Sequence, residues 1–290
     1  MRFVVAFVLS VSWVFGIEPL VSAEWLNNNK NNNNLVIIDI SGDGLYQKGH
    51  IPNALSSDIS IWRVAKDEHL LLQTPEAIEQ HLQSLGVNKT SDIVVYSHQI
   101  DPKDTLKPTY VIWAIKAMGH KNVALLDGGQ KSWQEAGYAL SYDKPNVSRG
   151  DFKAVPNHNM VADIEYVRLH IGKTRMIDAR NEHFYFGSKL QPELLKAGHI
   201  PKATNYFWQY SLDENGKMKP VSELRAMLVG GLKLDPEKTV VTYCTGGLET
   251  SMNWFVLHNL LQFKDVKLYD ASMKEWANRT DTPMSKYKWE

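Results

Sequence analysis

Short apolar runs punctuate the chain, most of them bounded by Asp or Asn. Leu35-Val36-Ile37-Ile38-Asp39, Ile93-Val94-Val95-Tyr96, Val123 to Leu126, Met176-Ile177-Asp178, Val240-Val241-Thr242-Tyr243 and Val266-Lys267-Leu268-Tyr269 are of this kind. Most are apolar at successive positions, as a strand buried on both faces requires. Helical spacing lies between them: Thr105 to Met118 forms one such stretch, and Trp254, Leu257, Leu260 and Leu261 recur at that period downstream of Tyr243. A polar stretch after Ala54 and ending near Gly86 is also read as helical. Strands alternating with helices predict an α/β fold with a mainly parallel sheet, helices on its faces and right-handed crossovers.

The pattern occurs twice. Asp39 and Asp178, His50 and His199, Ser97 and Cys244, Asp127 and Asp270, and Trp133 and Trp276 are equivalent landmarks, separated by 139 to 149 residues. Gly49-His50-Ile51-Pro52 returns as Gly198-His199-Ile200-Pro201. A period this long means a tandem pair of domains and excludes a solenoid. The expected division is residues 24–145, a linker over 146–159 punctuated by Gly150 and Pro156, and a second domain over 160–290.

Residues 1–23 read as an export signal: Arg2 is the positive n-region, Phe3 to Phe15 is nearly all apolar, and Val21-Ser22-Ala23 offers small residues for cleavage before Glu24. Glu18 interrupts the apolar run before it reaches the length of a membrane span. The expectation is a periplasmic or secreted protein. Asn27 to Asn34, asparagine except for Lys30, reads as a solvated turn or frayed helix end. Lys plus Arg and Asp plus Glu are both 32, so no global field draws the chain to nucleic acid or to a membrane surface after cleavage.

Cys244 is the only cysteine in 290 residues, so the chain forms no internal disulfide. It stands where a strand hands over to a helix, followed by Thr245, Gly246, Gly247, Leu248, Glu249 and Thr250. The paired glycines let the backbone curl so that several N–H groups point at the sulfur. Those amides and the helix N-terminus would favour the thiolate and bring the thiol below about 8.5, the free value. A buried, inert cysteine is the alternative. No close Cys/His cluster of zinc type is present, and neither metal nor organic cofactor is expected.

Together, Glu24-Trp25-Leu26, the two Gly-His-Ile-Pro segments, Asp178-Ala179-Arg180, Leu212-Asp213-Glu214-Asn215-Gly216, Thr242-Tyr243-Cys244 and Trp276 resemble the rhodanese superfamily, specifically its two-domain sulfurtransferases of the thiosulfate and 3-mercaptopyruvate types. The resemblance implies two rhodanese-like domains, a first that has lost its cysteine (Ser97 stands there) and a catalytic second. It implies a persulfide on Cys244 that passes sulfur from a small donor to a thiol or cyanide acceptor. Arg180 matches one donor-binding arginine, and the second falls near Phe184, beside His183, so Arg180 and His183 are the expected donor contacts. Arg279, Lys274 or a first-domain cation would replace the missing arginine. The loop lacks both the basic residues of thiosulfate-specific members and the serine of mercaptopyruvate-specific ones, since Thr245 and Gly246 stand there. Glu249 either faces solvent or selects a cationic or neutral acceptor. His50 and His199 read as turn-stabilising, and Trp208, Trp254 and Trp276 as core or interface fillers. Phosphatases of this fold need an arginine where Thr250 stands. The remaining alternative is a persulfide carrier or binding module serving a protein partner.

Overall fold

All six strand-type runs are strands in the computed structural model, which describes residues 16–66 and 68–290. In chain order the strands are β1 (Leu20–Val21), β2 (Leu35–Asp39), β3 (Ala54–Ser56), β4 (Arg63–Lys66), β5 (His69–Leu72), β6 (Asp92–Tyr96), β7 (Val123–Leu126), β8 (Val161–Ala162), β9 (Arg175–Asp178), β10 (Thr204–Asn205), β11 (Val240–Tyr243) and β12 (Val266–Tyr269). The first half builds a five-stranded sheet in the order β1-β7-β6-β2-β3, and the second one in the order β10-β9-β11-β12-β8. Every pairing in both is parallel.

Burial on both faces explains the continuous apolar runs. Ile38, Ile93 and Val95 face a core shared with the second half, whereas Ile37, Val94 and Tyr96 face a separate core beneath the first sheet. In β11, Val240 joins the shared core and Val241 and Tyr243 the outer one. Helices Leu106–Ala117 and Leu248–Phe255 pack against each other between the two sheets, with Thr109 Oγ1 2.8 Å from Ser251 Oγ. Trp208, Trp254 and Trp276 are buried fillers as expected.

The duplication extends to single hydrogen bonds. The Tyr96 hydroxyl accepts from the Ile51 amide and the Tyr243 hydroxyl from that of Ile200. Tyr46 stacks on His50 and Tyr185 on His199, both with ring centroids 3.8 Å apart. The His50 ring nitrogens meet the carbonyls of Tyr46 and Asp143, and His199 Nδ1 meets that of Tyr185, so both histidines brace turns.

One expectation needs correction. The polar stretch ending near Gly86 is not one helix: β3, the antiparallel hairpin β4–β5 and only then a helix, Pro75–Ser84, occupy it. That helix starts where Thr74 caps the Ala77 amide and proline takes the first turn. The expected export signal runs into the described structure. Phe3 to Phe15 lies outside the described residues, but Leu20–Val21 pair with Leu125–Leu126, and the Ser22 hydroxyl caps the helix Ala23–Asn29. A cut after Ala23 would strip the first sheet of an edge strand and that helix of its cap. Residues 146–157 also run along the first domain: Phe152 is buried, and its amide donates to the Val87 carbonyl.

Candidate active site

β11, the central strand of the second sheet, delivers Cys244 to the carboxyl edge, where parallel sheets present their ligands. Only Thr245, Gly246 and Gly247 separate it from the helix starting at Leu248. So short a turn requires Gly247 at φ +94°, and a Cβ there would collide with the Asp270 carboxylate. The curl brings the Gly247 N–H to 3.2 Å from the Cys244 sulfur, and the amides of Gly246 and Thr250 also act on it. Below, the Ser272 hydroxyl accepts from the Cys244 amide at 3.0 Å and donates to the Tyr269 carbonyl at 2.6 Å, fixing the base of the loop.

Cys244 is 1% exposed, yet it lines a cleft of about 420 Å³ with Arg63, Leu70, Gln191, Pro192, Glu193, Thr245, Gly246, Leu248, Glu249 and Lys274. A larger cavity, about 730 Å³, lies on the far side of the β4–β5 hairpin and does not reach the sulfur. The expected low thiol pKa is not what this setting produces. Burial, then the Glu249 carboxylate, push the Cys244 thiol up to about 12, against the pull of the Thr250, Gly246 and Gly247 amides. At neutral pH the resting sulfur therefore carries its proton. Glu249 does not simply face solvent: burial, then the Asp178 charge, raise its own pKa, and its Oε2 lies 3.5 Å from Thr245 Oγ1.

Neither expected donor contact is among the cleft's lining residues. Arg180 is buried beneath the loop, with Nε and Nη2 on Asp178 at 2.6 to 3.1 Å and Nη2 also on the Gly198 carbonyl at 2.7 Å. It holds two strand-end segments together, and its Nη1 reaches toward the cleft-lining Gln191, 3.5 Å from Oε1. His183 is exposed on the helix Glu182–Phe186 and is not among the cleft's lining residues. Of the replacement cations considered, Arg279 pairs with Asp281, whereas Lys274 and the first-domain Arg63 line the cleft. Lys274 pairs with Glu193 at 2.6 Å.

Three residues that sequence reasoning missed complete the site. Gln191 Nε2 donates to Thr245 Oγ1 at 2.7 Å. Asp270, at the end of β12, accepts from the Leu72 amide at 2.6 Å and the Tyr110 hydroxyl at 2.9 Å, both first-domain groups. Arg63 donates from Nη2 to the Gly246 carbonyl at 2.6 Å and to the Leu70 carbonyl. The repeat landmark it shares with Asp127 was a signal for Asp270; the hairpin residue Arg63 had none. Among the described residues, no group of three or more His, Cys, Asp or Glu could hold a metal ion, and no helix is long and apolar enough to cross a membrane.

Comparison with known proteins agrees with this geometry. A rhodanese-like domain is recognised over residues 22–136 and again over 163–279. A protein of Saccharopolyspora erythraea bearing a thiosulfate sulfurtransferase name is 31% identical over 277 residues, covering 92% of this chain and 96% of that one. The sulfur carrier protein TtuD of Thermus thermophilus is 31% identical over 285 residues, 93% of this chain and 97% of its own. Among solved structures, the 3-mercaptopyruvate sulfurtransferase SseA from Escherichia coli superposes with a TM-score of 0.76 at 26% identity, covering 88% of this chain and 99% of that one. A chain of EanB in complex with ergothioneine, at 21% identity and a TM-score of 0.81 over 94% of this chain and 71% of its own, shares the fold.

Proposed function

The chain belongs to the rhodanese-like family, its domain present twice, and from that premise we propose a sulfurtransferase that carries sulfur as a persulfide on Cys244. The observation that carries the reading is the Gly247 amide 3.2 Å from the cysteine sulfur, backed by the amides of Gly246 and Thr250. Those donors stabilise an anion on either sulfur of a persulfide as an oxyanion hole stabilises oxygen.

The donor is a small compound of the thiosulfate type, which carries a sulfane sulfur, or of the 3-mercaptopyruvate type, whose thiol sulfur becomes sulfane sulfur as it leaves carbon. As Cys244 attacks the donor's outer sulfur it loses its proton to Glu249, the carboxyl whose charge acts most strongly on it. A raised carboxyl pKa makes Glu249 a stronger proton acceptor than an ordinary carboxylate. With thiosulfate, the S–S bond breaks and sulfite leaves with the electron pair. With 3-mercaptopyruvate, the C–S bond breaks, and the enolate of pyruvate leaves and takes up a proton. Attack by an acceptor thiolate or cyanide on the outer persulfide sulfur then returns the Cys244 thiolate. Lys274 at the mouth stands in for the arginine pair toward an anionic donor.

Incubation with thiosulfate or 3-mercaptopyruvate should add about 32 Da to the intact protein, and the gain should be absent in Cys244→Ser. A folded protein that gains no mass from either donor refutes the reading. A second reading, a persulfide carrier that hands sulfur to a protein, draws on the TtuD similarity and on a sulfur so recessed that only a thin acceptor tail or a small thiol enters. Rapid sulfur loss to a protein acceptor, with slow turnover on cyanide, would favour it.

Export is part of the proposal. Because Leu20–Val21 are built into the first sheet, processing belongs upstream, at Gly16, whose small side puts the new terminus at Ile17. N-terminal sequencing of protein from a periplasmic or secreted fraction tests this; a start at Met1 in the cytoplasm argues against it.

A further inference from the structure

Given Cys244 as the sulfur-bearing nucleophile, we infer that Arg63 of the first domain is a positioning residue for the catalytic loop. It holds the Gly246 carbonyl so that the amide of the same peptide unit points at the sulfur. A trans peptide is planar, with its C=O and N–H on opposite edges. Arg63 Nη2 meets the Gly246 oxygen at 2.6 Å, and on the opposite edge the Gly247 N–H meets Cys244 Sγ at 3.2 Å. The peptide is flanked by two glycines, so no side chain resists its rotation. Something outside the loop must fix its sense, and the guanidinium does.

Arg63 is itself held. Its side chain is 7% exposed, it donates to the Leu70 carbonyl on the facing strand of the hairpin, and it lies 3.5 Å from Asp270. Its guanidinium carbon stands 4.8 Å from the Tyr110 ring centre. A charged donor on the carbonyl also polarises the peptide and strengthens its N–H as a donor. The charged groups set around Cys244 are then Glu249 on its own loop and helix, Lys274 behind Gly246 with its partner Glu193, Arg180 and Asp178 beneath, Asp270 at the end of β12, and, from the first domain, Arg63 and the Lys103 charge that acts on Glu249. Arg63 comes from the half of the chain that lacks a cysteine and touches the loop itself, so that half contributes part of the site.

The test reads the sulfur without any sulfur donor, so it stands apart from whether the protein transfers sulfur. Alkylation of the full-length protein by iodoacetamide, an uncharged reagent, is followed from about pH 7 to 10. Arg63→Gln should slow alkylation about tenfold across that range, as loss of a charge-assisted hydrogen bond implies. Arg63→Lys keeps the charge without the fork, and should recover only part of the rate. Wild-type rates in a folded Arg63→Gln overturn the inference. So does complete rescue by lysine, which would make charge alone sufficient. Should Arg63→Gln fail to fold, Arg63→Lys decides by itself: its rate must lie below wild type while its melting temperature stays within a few degrees. Glycine-labelled NMR supplies a direct readout, since the Gly247 amide resonance should move in the lysine variant and those of glycines far from the hairpin should not.

Discussion

The two loops at the ends of β6 and β11 occupy equivalent places in equivalent sheets and do opposite things. After Cys244, three residues suffice to reach the helix, and the amides gathered by that turn converge on the sulfur. After Ser97, the chain takes an extra turn, Pro102–Thr105, before its helix begins at Leu106. There the local amides are already used: the Lys103 N–H goes to Asp101 and the Asp101 N–H to Asp104. The Ser97 hydroxyl donates to the Asp104 carbonyl at 2.9 Å, so the loop satisfies itself. What the halves still share is a reciprocal clasp. Asp127 accepts the Met218 amide of the second domain at 2.9 Å, and Asp270 accepts the Leu72 amide of the first at 2.6 Å. Duplication preserved the scaffold and the clasp, while the chemistry separated according to the length and content of one turn.

Making the catalytic loop resemble its twin at one atom should have the largest effect. Cys244→Ser is expected to remove sulfur transfer, a loss on the order of 10⁴-fold or more, because the hydroxyl cannot hold sulfane sulfur. Sulfur transfer retained in that folded variant would end the assignment. Gly247→Ala should follow, with transfer falling about 100-fold and stability by roughly 1–3 kcal/mol, since alanine at φ +94° is strained and its methyl meets the Asp270 carboxylate. Activity assays beside urea unfolding separate the two losses, and near-wild-type turnover would show that the turn tolerates a different curl.

Asp270 offers a medium-sized test. Burial raises its carboxyl to about 6, with Arg63 opposing. The unfolded chain has the ordinary value near 3.8, so between these two the folded protein binds the proton more readily. This group's contribution to stability is therefore greatest below the unfolded value and is lost as pH rises through about 6. The size is about 1–3 kcal/mol. The difference in unfolding free energy between wild type and Asp270→Asn, measured from pH 4 to 7, isolates it from surface carboxylates; a flat difference refutes the shift. Glu249→Gln should act more gently. Removing its charge lowers the thiol pKa and should speed iodoacetamide alkylation about threefold or more, while turnover with 3-mercaptopyruvate falls for want of a proton carrier. Parallel changes in both would dismiss the proton role.

Much of the scaffold was legible because strands buried on both faces leave unmistakable apolar runs, and because Gly-His-Ile-Pro and the strand-end aspartates mark the repeat. Cys244 and its glycine turn were legible for the same reason: a short strand-to-helix turn has a composition. Asp178-Ala179-Arg180 fixes where Arg180 sits along the strand end without fixing which way the guanidinium turns: the Asp178 carboxylate two residues away takes Nε and Nη2, which leaves Nη1 toward Gln191. The thiol misled because the pull of the amides can be read from glycines, whereas the cost of burial depends on how two domains close over the loop. Arg63 lay in a stretch that looked polar and helical. Its role exists only once the hairpin meets Gly246, 183 residues away, and no local pattern encodes such a contact.

The smallest expected effect probes the silent loop. Ser97→Cys restores a sulfur at the end of β6, and if position in the sheet were enough, the new thiol would load as Cys244 does. The reading here predicts otherwise. Ser97 is 2% exposed, and a thiol would still face the Asp104 carbonyl while the nearest amides stay committed to Asp101 and Asp104. Nothing would stabilise an anion, and two carboxylates would oppose one. Incubation with thiosulfate should add a single sulfur to the variant, on Cys244, with turnover within about twofold of wild type. A second gain in mass, mapped to residue 97 by peptide analysis, would mean that converging amides are not what distinguishes the two loops.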